Sequence, residues 1–189
     1  MTGVRALHKH TTRRALEDAA LRLFARDGYE ATSIEAIAAE AEVSARTFFR
    51  YFATKDEVLT PDREERQAQL ADVIGEVGGR TPLEVAAAAL VAIAPSFEAE
   101  RATMLLRRRA AVTSPVLRGR LYDVVHTWQR TLAAALVDAS VPEFDAEVTA
   151  EVAIAVWQGS ITRWLADDSS ALREQLLAGF AVAGSPVVG

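Results

Sequence analysis

The 189-residue chain contains no cysteine, which excludes disulfides, thiolate metal sites and a cysteine nucleophile, and leaves the redox compartment open. Long apolar runs are missing too. The longest, Val85 to Ala94, falls well short of the roughly 18–20 residues that span a bilayer, and the opening MTGVRALHKHTTRR lacks the apolar segment of a secretion signal. These absences predict a soluble, cytoplasmic protein with no membrane partner. Catalytic groupings are absent as well: there is no Ser/His/Asp set, no phosphate-cradling glycine loop and no cluster of metal ligands. Glu64-Glu65 and Asp167-Asp168 are adjacent pairs that diverge on a helix or sit in a turn. His8 and His10 flank Lys9 in the N-terminal arm, and His126 is alone on its helix between Asp123 and Arg130. No enzyme, metal or cofactor is expected.

Positive charge is scarce overall, with 21 Lys/Arg against 26 Asp/Glu and a net charge of −5. The distribution matters more than the sum. Residues 1–60 are neutral, with nine groups of each sign, and their basic residues are segregated. Arg5, Lys9, Arg13 and Arg14 precede any acid, and Arg46, Arg50 and Lys55 occupy an acid-free window between Glu42 and Asp56. Screening confines exposed charges to about 8–10 Å, so a local basic face can bind phosphate although the remainder is acidic.

Hydrophobic periodicity predicts helices almost throughout and no strand. Thr11 or Thr12 is expected to cap a first helix carrying Leu16, Ala19, Ala20, Leu23 and Phe24, with Gly28 as its left-handed stop. Thr32 followed by Glu35 reads as a capping box opening a helix over 33–41, Ser44 as the N-cap of a third helix over 45–52, and Thr54 with Glu57 as a second capping box. A longer helix is expected from Lys55 to Val77, closed by Gly78-Gly79. Thr81-Pro82 opens the next, Pro95 is expected to divide it, and Ser114-Pro115 and Pro142 mark later starts. Two short helices joined by a tight turn, the second basic and aromatic, form the arrangement that lays a recognition helix into the DNA major groove.

Helices over 144–166 and 169–183 are apolar on more than one face. Ile154, Trp157, Ile161 and Trp164 form one stripe, Val148, Val152 and Val156 an adjacent one, and Leu172, Leu176 and Phe180 a third. Either all are core, or one stripe faces inward while another pairs with a second copy of the chain.

The segment from Ala19 to Leu59 closely resembles the DNA-binding domain of the tetracycline-repressor (TetR) family of bacterial transcriptional regulators. The resemblance lies in Leu23-Phe24, Gly28, Thr32, Ile34, Ile37, Ala38, Val43-Ser44, Phe48-Phe49, Tyr51-Phe52, Lys55 and Leu59. It implies an all-α fold of about nine helices: an N-terminal three-helix helix-turn-helix domain over residues 1–54, then a larger ligand-binding and dimerisation bundle over 55–189. The implied function is a ligand-responsive, sequence-specific DNA-binding regulator of the repressor type. Its partners would be a double-stranded, pseudo-palindromic operator, a second copy in a homodimer, and an unidentified small-molecule effector.

Carried over by position, Ala45 and Arg46 would face base edges, with Arg46 suited to a bidentate contact with guanine. Ser44 would cap the recognition helix, Thr47, Phe49, Arg50 and Tyr51 would line the backbone or groove wall, and Thr32, Ser33 and Lys55 would meet phosphates. Leu90, Ile93, Phe97, Met104, Leu105, Tyr122 and Trp128 are the candidate effector pocket, and Ile154, Trp157, Ile161, Trp164, Leu172, Leu176 and Phe180 the candidate dimer surface. The sequence departs from the family where Glu42 replaces the usual turn glycine, so that either a non-glycine tolerates φ > 0 there or the turn differs slightly. Phe49 stands for the usual tyrosine and Tyr51 for a histidine. Arg107-Arg108-Arg109 cannot all face one ligand, because consecutive helical residues point about 100° apart; the triplet is read as a solvated face, with guidance of an anionic effector as the alternative. Two other classes stay open: a helical small-molecule carrier or enzyme with a vestigial helix-turn-helix, and an effector-independent architectural DNA binder.

Overall fold

The computed structural model describes residues 2–59, 63–76, 81–167 and 169–184, with side chains from residue 10 in the first of these segments and from 67 in the second. Regular structure within them is all helical. The Gly78-Gly79 stop, Asp168, the tail after Gly184, and the side chains of Arg5, His8, Lys9, Glu64 and Glu65 lie outside the described residues. Contacts group the chain into two units, Met1–Pro61 with Ala102–Asp123, and Asp62–Arg101 with Val124–Gly189.

The first unit begins with α1 (Thr2–Asp27), which starts well before the expected cap. Thr11 and Thr12 lie inside it, because no glycine or proline interrupts the chain from Val4 to Arg26. Leu16, Ala19, Ala20, Leu23 and Phe24 are all buried, as their spacing requires. The helix ends at Gly28, whose φ of +89° lets its amide reach the Phe24 carbonyl at 3.1 Å.

Helix α2 (Ile34–Glu40) corrects the first capping assignment: the cap is Ser33, whose hydroxyl accepts from the Ala36 amide at 3.0 Å. Thr32 instead points inward and donates its hydroxyl to the Gly28 carbonyl at 2.8 Å. Ser33→Ala is therefore expected to lower stability by about 1 kcal/mol in a denaturant titration of the full chain. Helix α3 (Ala45–Tyr51) starts on Ser44, which accepts from the Thr47 amide. In the turn between them Glu42 has φ +56°. The Glu42 amide bonds the Ala39 carbonyl and the Val43 amide the Ala38 carbonyl, so two otherwise orphaned acceptors at the end of α2 are satisfied by the left-handed residue.

From Lys55 the chain forms a short 3₁₀ helix, Lys55–Leu59, rather than the start of a long helix, and α4 (Arg63–Glu76) follows separately. Glu57 accepts from the Ala53 amide at 2.7 Å, one residue earlier than the Thr54 box anticipated. The core of this unit joins Phe24, Ile37, Phe48, Phe52, Val58 and Leu59 to Ala110, Ala111 and Leu117. The last three come from α6 (Arg101–Thr113) and α7 (Pro115–Asp138). Two ion pairs also tie these helices in: Arg107 with Glu17, both nearly buried, and Arg120 with Asp56 at 3.3 Å.

The second unit packs α5 (Pro82–Glu98), α8 (Glu143–Ala166) and α9 (Leu172–Ala183) against one another, with α4 on α5. Thr81 and Glu84 form a reciprocal capping box on α5. The expected division at Pro95 does not occur. Pro95 is exposed and lies in the last turn, so one hydrogen bond is lost while Ile93, Ala94 and Phe97 remain buried around it. Helix α7 ends with Ser140 at φ +69°, a second non-glycine left-handed cap. Where α8 meets α9, Gly179 admits close approach: a Cβ there would lie 2.8 Å from Val156 Cγ1 and 3.3 Å from Ser160 Oγ. Ser160 in turn donates to the Gln175 carbonyl at 3.2 Å.

Candidate nucleic-acid interface

Helix α3 has a buried side and an outward side. Phe48 is fully buried and stacks obliquely on Phe52 with ring centroids 5.5 Å apart. Arg13 of α1 sits over the Phe52 ring at 5.6 Å, clamping the end of α3. The opposite side carries Arg46 and Arg50, both exposed, with Thr47 and Tyr51 half-buried and Phe49 55% exposed. Ser44 is exposed and Ala45 half-buried at the helix start. The Arg50 guanidinium lies 5.0 Å over the Tyr51 ring and 3.4 Å from its hydroxyl, so Tyr51 orients a cation as well as offering an oxygen. Two cations with no carboxylate on the same helix can contact base edges or phosphates.

Around α3 the expected phosphate contacts separate. Ser33 is exposed, whereas Thr32 is 3% exposed with its hydroxyl spent on Gly28, which corrects its place among the phosphate contacts. Lys55 is turned inward: its Nζ donates to the Tyr29 carbonyl at 2.6 Å and the Thr32 carbonyl at 3.0 Å, and lies 4.1 Å from the centre of the Tyr29 ring. Two of its three protons thus fix the α1–α2 loop, leaving one for a phosphate. Burial, followed by the Asp56 and Glu30 charges, pushes the Tyr29 phenol above its ordinary pKa.

The candidate effector residues are distributed over the two units. Leu90, Ile93, Phe97 and Trp128 are buried in the second unit, whereas Met104, Leu105 and Tyr122 belong to the first. Tyr122 is 72% exposed, a correction that follows from its place on the solvent side of α7. Phe97, Trp128 and Trp157 pack ring against ring, with centroids 4.8 to 6.2 Å apart. A surface groove of about 630 Å³ between α7 and α8 is lined by His126, Gln129, Arg130, Ala133, Ala134, Val137, Asp138, Glu143, Glu147 and Glu151, none of them anticipated.

The dimer candidates are also corrected. Ile154, Trp157, Trp164, Leu172, Leu176 and Phe180 are buried within the single chain, and Ile161 half-buried. Arg101 covers the Trp164 ring and donates to the Trp164 carbonyl at 3.2 Å. Of the neighbouring stripe, Val148 and Val152 on α8 are 45% and 37% exposed while Val156 is half-buried; Phe144, 74% exposed, lies one turn before Val148, and Leu177 and Val182 are exposed on α9. The arginine triplet splits as its geometry demands, Arg107 turning in to Glu17 while Arg108 and Arg109 are exposed. Glu17 escaped the sequence reading, since nothing local marks a glutamate as the partner of a residue 90 positions away.

Residues 16–60 match the model of the tetR family of bacterial regulatory proteins. Over 181 residues the chain is 29% identical to a protein of Mycobacterium tuberculosis named for the regulation of mycofactocin biosynthesis, MftR, covering 94% of this chain and 91% of that one. It is 31% identical over 168 residues to the HTH-type transcriptional repressor KstR of Rhodococcus jostii, covering 84% and 75%. Among solved structures it is similar to FadR of Thermus thermophilus, a repressor of the same family crystallised with lauroyl-CoA. The TM-score there is 0.56 at 22% identity, covering 94% of this chain and 99% of that one.

Proposed function

Because the chain belongs to the tetR family of bacterial regulatory proteins and is a DNA-binding transcriptional regulator, we propose that it acts in the cytoplasm, without enzymatic activity, as a homodimeric repressor released from a pseudo-palindromic operator by a small molecule. The observation that carries the DNA contact is α3, with Phe48 buried beneath it and Arg46 and Arg50 exposed on its far side. Arg46 is the base-reading residue, and Ser33, Ser44, Ala45, Thr47, Arg50 and Tyr51 fit the duplex around it. Residues 1–54 serve reading and 55–189 serve the effector and the second subunit, with α6 and the start of α7 buttressing the reading unit from within its core. The exposed Phe144, Val148 and Val152 ridge supports association with a second copy, since contiguous apolar surface of this kind is seldom left to water.

For the effector, the buried Leu90, Ile93, Phe97 and Trp128 make an apolar second unit into which a hydrophobic molecule would enter. The lauroyl-CoA complex of the similar repressor makes long-chain acyl thioesters the first class to test. Effector and operator would each favour a different arrangement of the dimer, so each must weaken the binding of the other by the same factor.

Selection from a random DNA pool should recover a preferred sequence whose affinity falls steeply with salt. A carrier or enzyme with a vestigial module would retain no preferred sequence, and an architectural binder would ignore every metabolite. Arg46→Ala should relax preference at one base pair per half-site by about 1–3 kcal/mol, while Arg50→Ala should weaken all sequences alike and flatten the salt dependence. An unchanged preference profile for Arg46→Ala would remove that residue from base reading.

A further inference from the structure

The recognition helix carries a large apolar side chain that no described residue covers fully: Phe49, 55% exposed. At about 100° per residue, with Phe48 facing in, Arg46 and Arg50 point nearly opposite the core and Thr47 and Phe49 occupy the two flanks. The flanks differ in chemistry. On one, the Ser44 and Thr47 hydroxyls lie 3.0 Å apart and hydrogen-bond each other. On the other, Phe49 lies one turn beyond Ala45, a stripe with neither donor nor acceptor in its side chains. The Phe49 ring is not loose: it meets Phe48 edge-on, with centroids 5.7 Å apart and planes 87° apart. A ring already held in place loses little freedom on contact.

The major groove offers such a flank few apolar partners. Of the four bases only thymine carries a methyl group there, at C5, among otherwise polar edges. We propose that Phe49 is a specificity-determining residue that reads a thymine 5-methyl in each half-site, beside the base pair addressed by Arg46. The assignment rests on the DNA-binding reading above and adds a base to it.

The test uses the full chain and the duplex recovered by selection from a random pool. Each thymine is replaced singly by deoxyuridine, which removes only the methyl, and affinities are measured for the unmodified protein and for Phe49→Ala. One thymine per half-site should respond with a loss of about fourfold in the unmodified protein, the worth of one buried carbon. In Phe49→Ala that response should vanish. Cytosine placed at the same position should bind weakly, and 5-methylcytosine should restore part of the loss. A uniform response to deoxyuridine, or a penalty that persists undiminished in Phe49→Ala, overturns the assignment while leaving sequence-selective binding intact. Recovery of no preferred sequence from the pool would overturn the regulator reading and this residue's role together.

Discussion

Arg107→Met should lower the stability of the full chain by about 3–5 kcal/mol, because it removes the cation facing a carboxylate that the fold has taken out of water. The Glu17 and Arg107 side chains are only 6% and 12% exposed, so solvent cannot replace the lost partner. Replacing both residues, Glu17→Leu with Arg107→Met, should restore most of the stability, since two apolar side chains of similar volume avoid the desolvation of both charges. Denaturant titrations of the four proteins of this cycle give the coupling directly. A single variant within about 1 kcal/mol of the parent would mean that the pair is not a structural element of the unit.

Phe48→Ala should cost about as much, roughly 3–5 kcal/mol, by emptying the space between Phe49 and Phe52 in the centre of the first unit. The functional consequence should be larger than the energetic one. Helix α3 has seven residues, too few to be stable on their own, so its position depends on this anchor and on the Ser44 cap. Sequence-selective DNA retention should be lost even at temperatures where circular dichroism still shows a helical chain. Its neighbour provides the contrast: Phe49→Ala, at a half-exposed position, should leave the denaturation midpoint nearly unchanged. Equal losses of stability for the two variants would contradict the inward and outward sides assigned to α3.

The reading unit was legible because its signals are local. The apolar spacing of α1, the left-handed Gly28 and the Ser44 cap all depend on residues within a few positions of one another, and of the two options open at Glu42 the chain takes positive φ. The errors share a different origin. Thr32 and Ser33 both suit an N-cap, and only the position of the Gly28 carbonyl decides between them. Lys55 keeps one proton for a phosphate, as its pattern suggests, but pattern does not reveal that the Tyr29 and Thr32 carbonyls converge on its ammonium. On α8 two apolar stripes compete for the interior, and periodicity is silent on which wins. The bulkier Ile154, Trp157 and Trp164 went inside because they bury more area per residue. The division of the effector candidates reflects long-range packing of α6 and α7, which no window along the sequence contains.

The core shared by Phe24, Phe48 and Leu117 has a consequence for biosynthesis. The helix-turn-helix segment is translated first, yet Arg107, Ala110, Ala111 and Leu117 emerge from the ribosome some fifty residues after it. Until then Glu17 lacks Arg107, and the apolar side of α1 lacks part of its cover. A nascent chain halted near residue 60 should be protease-sensitive, and protection should appear only once residues up to about 123 are outside the exit tunnel.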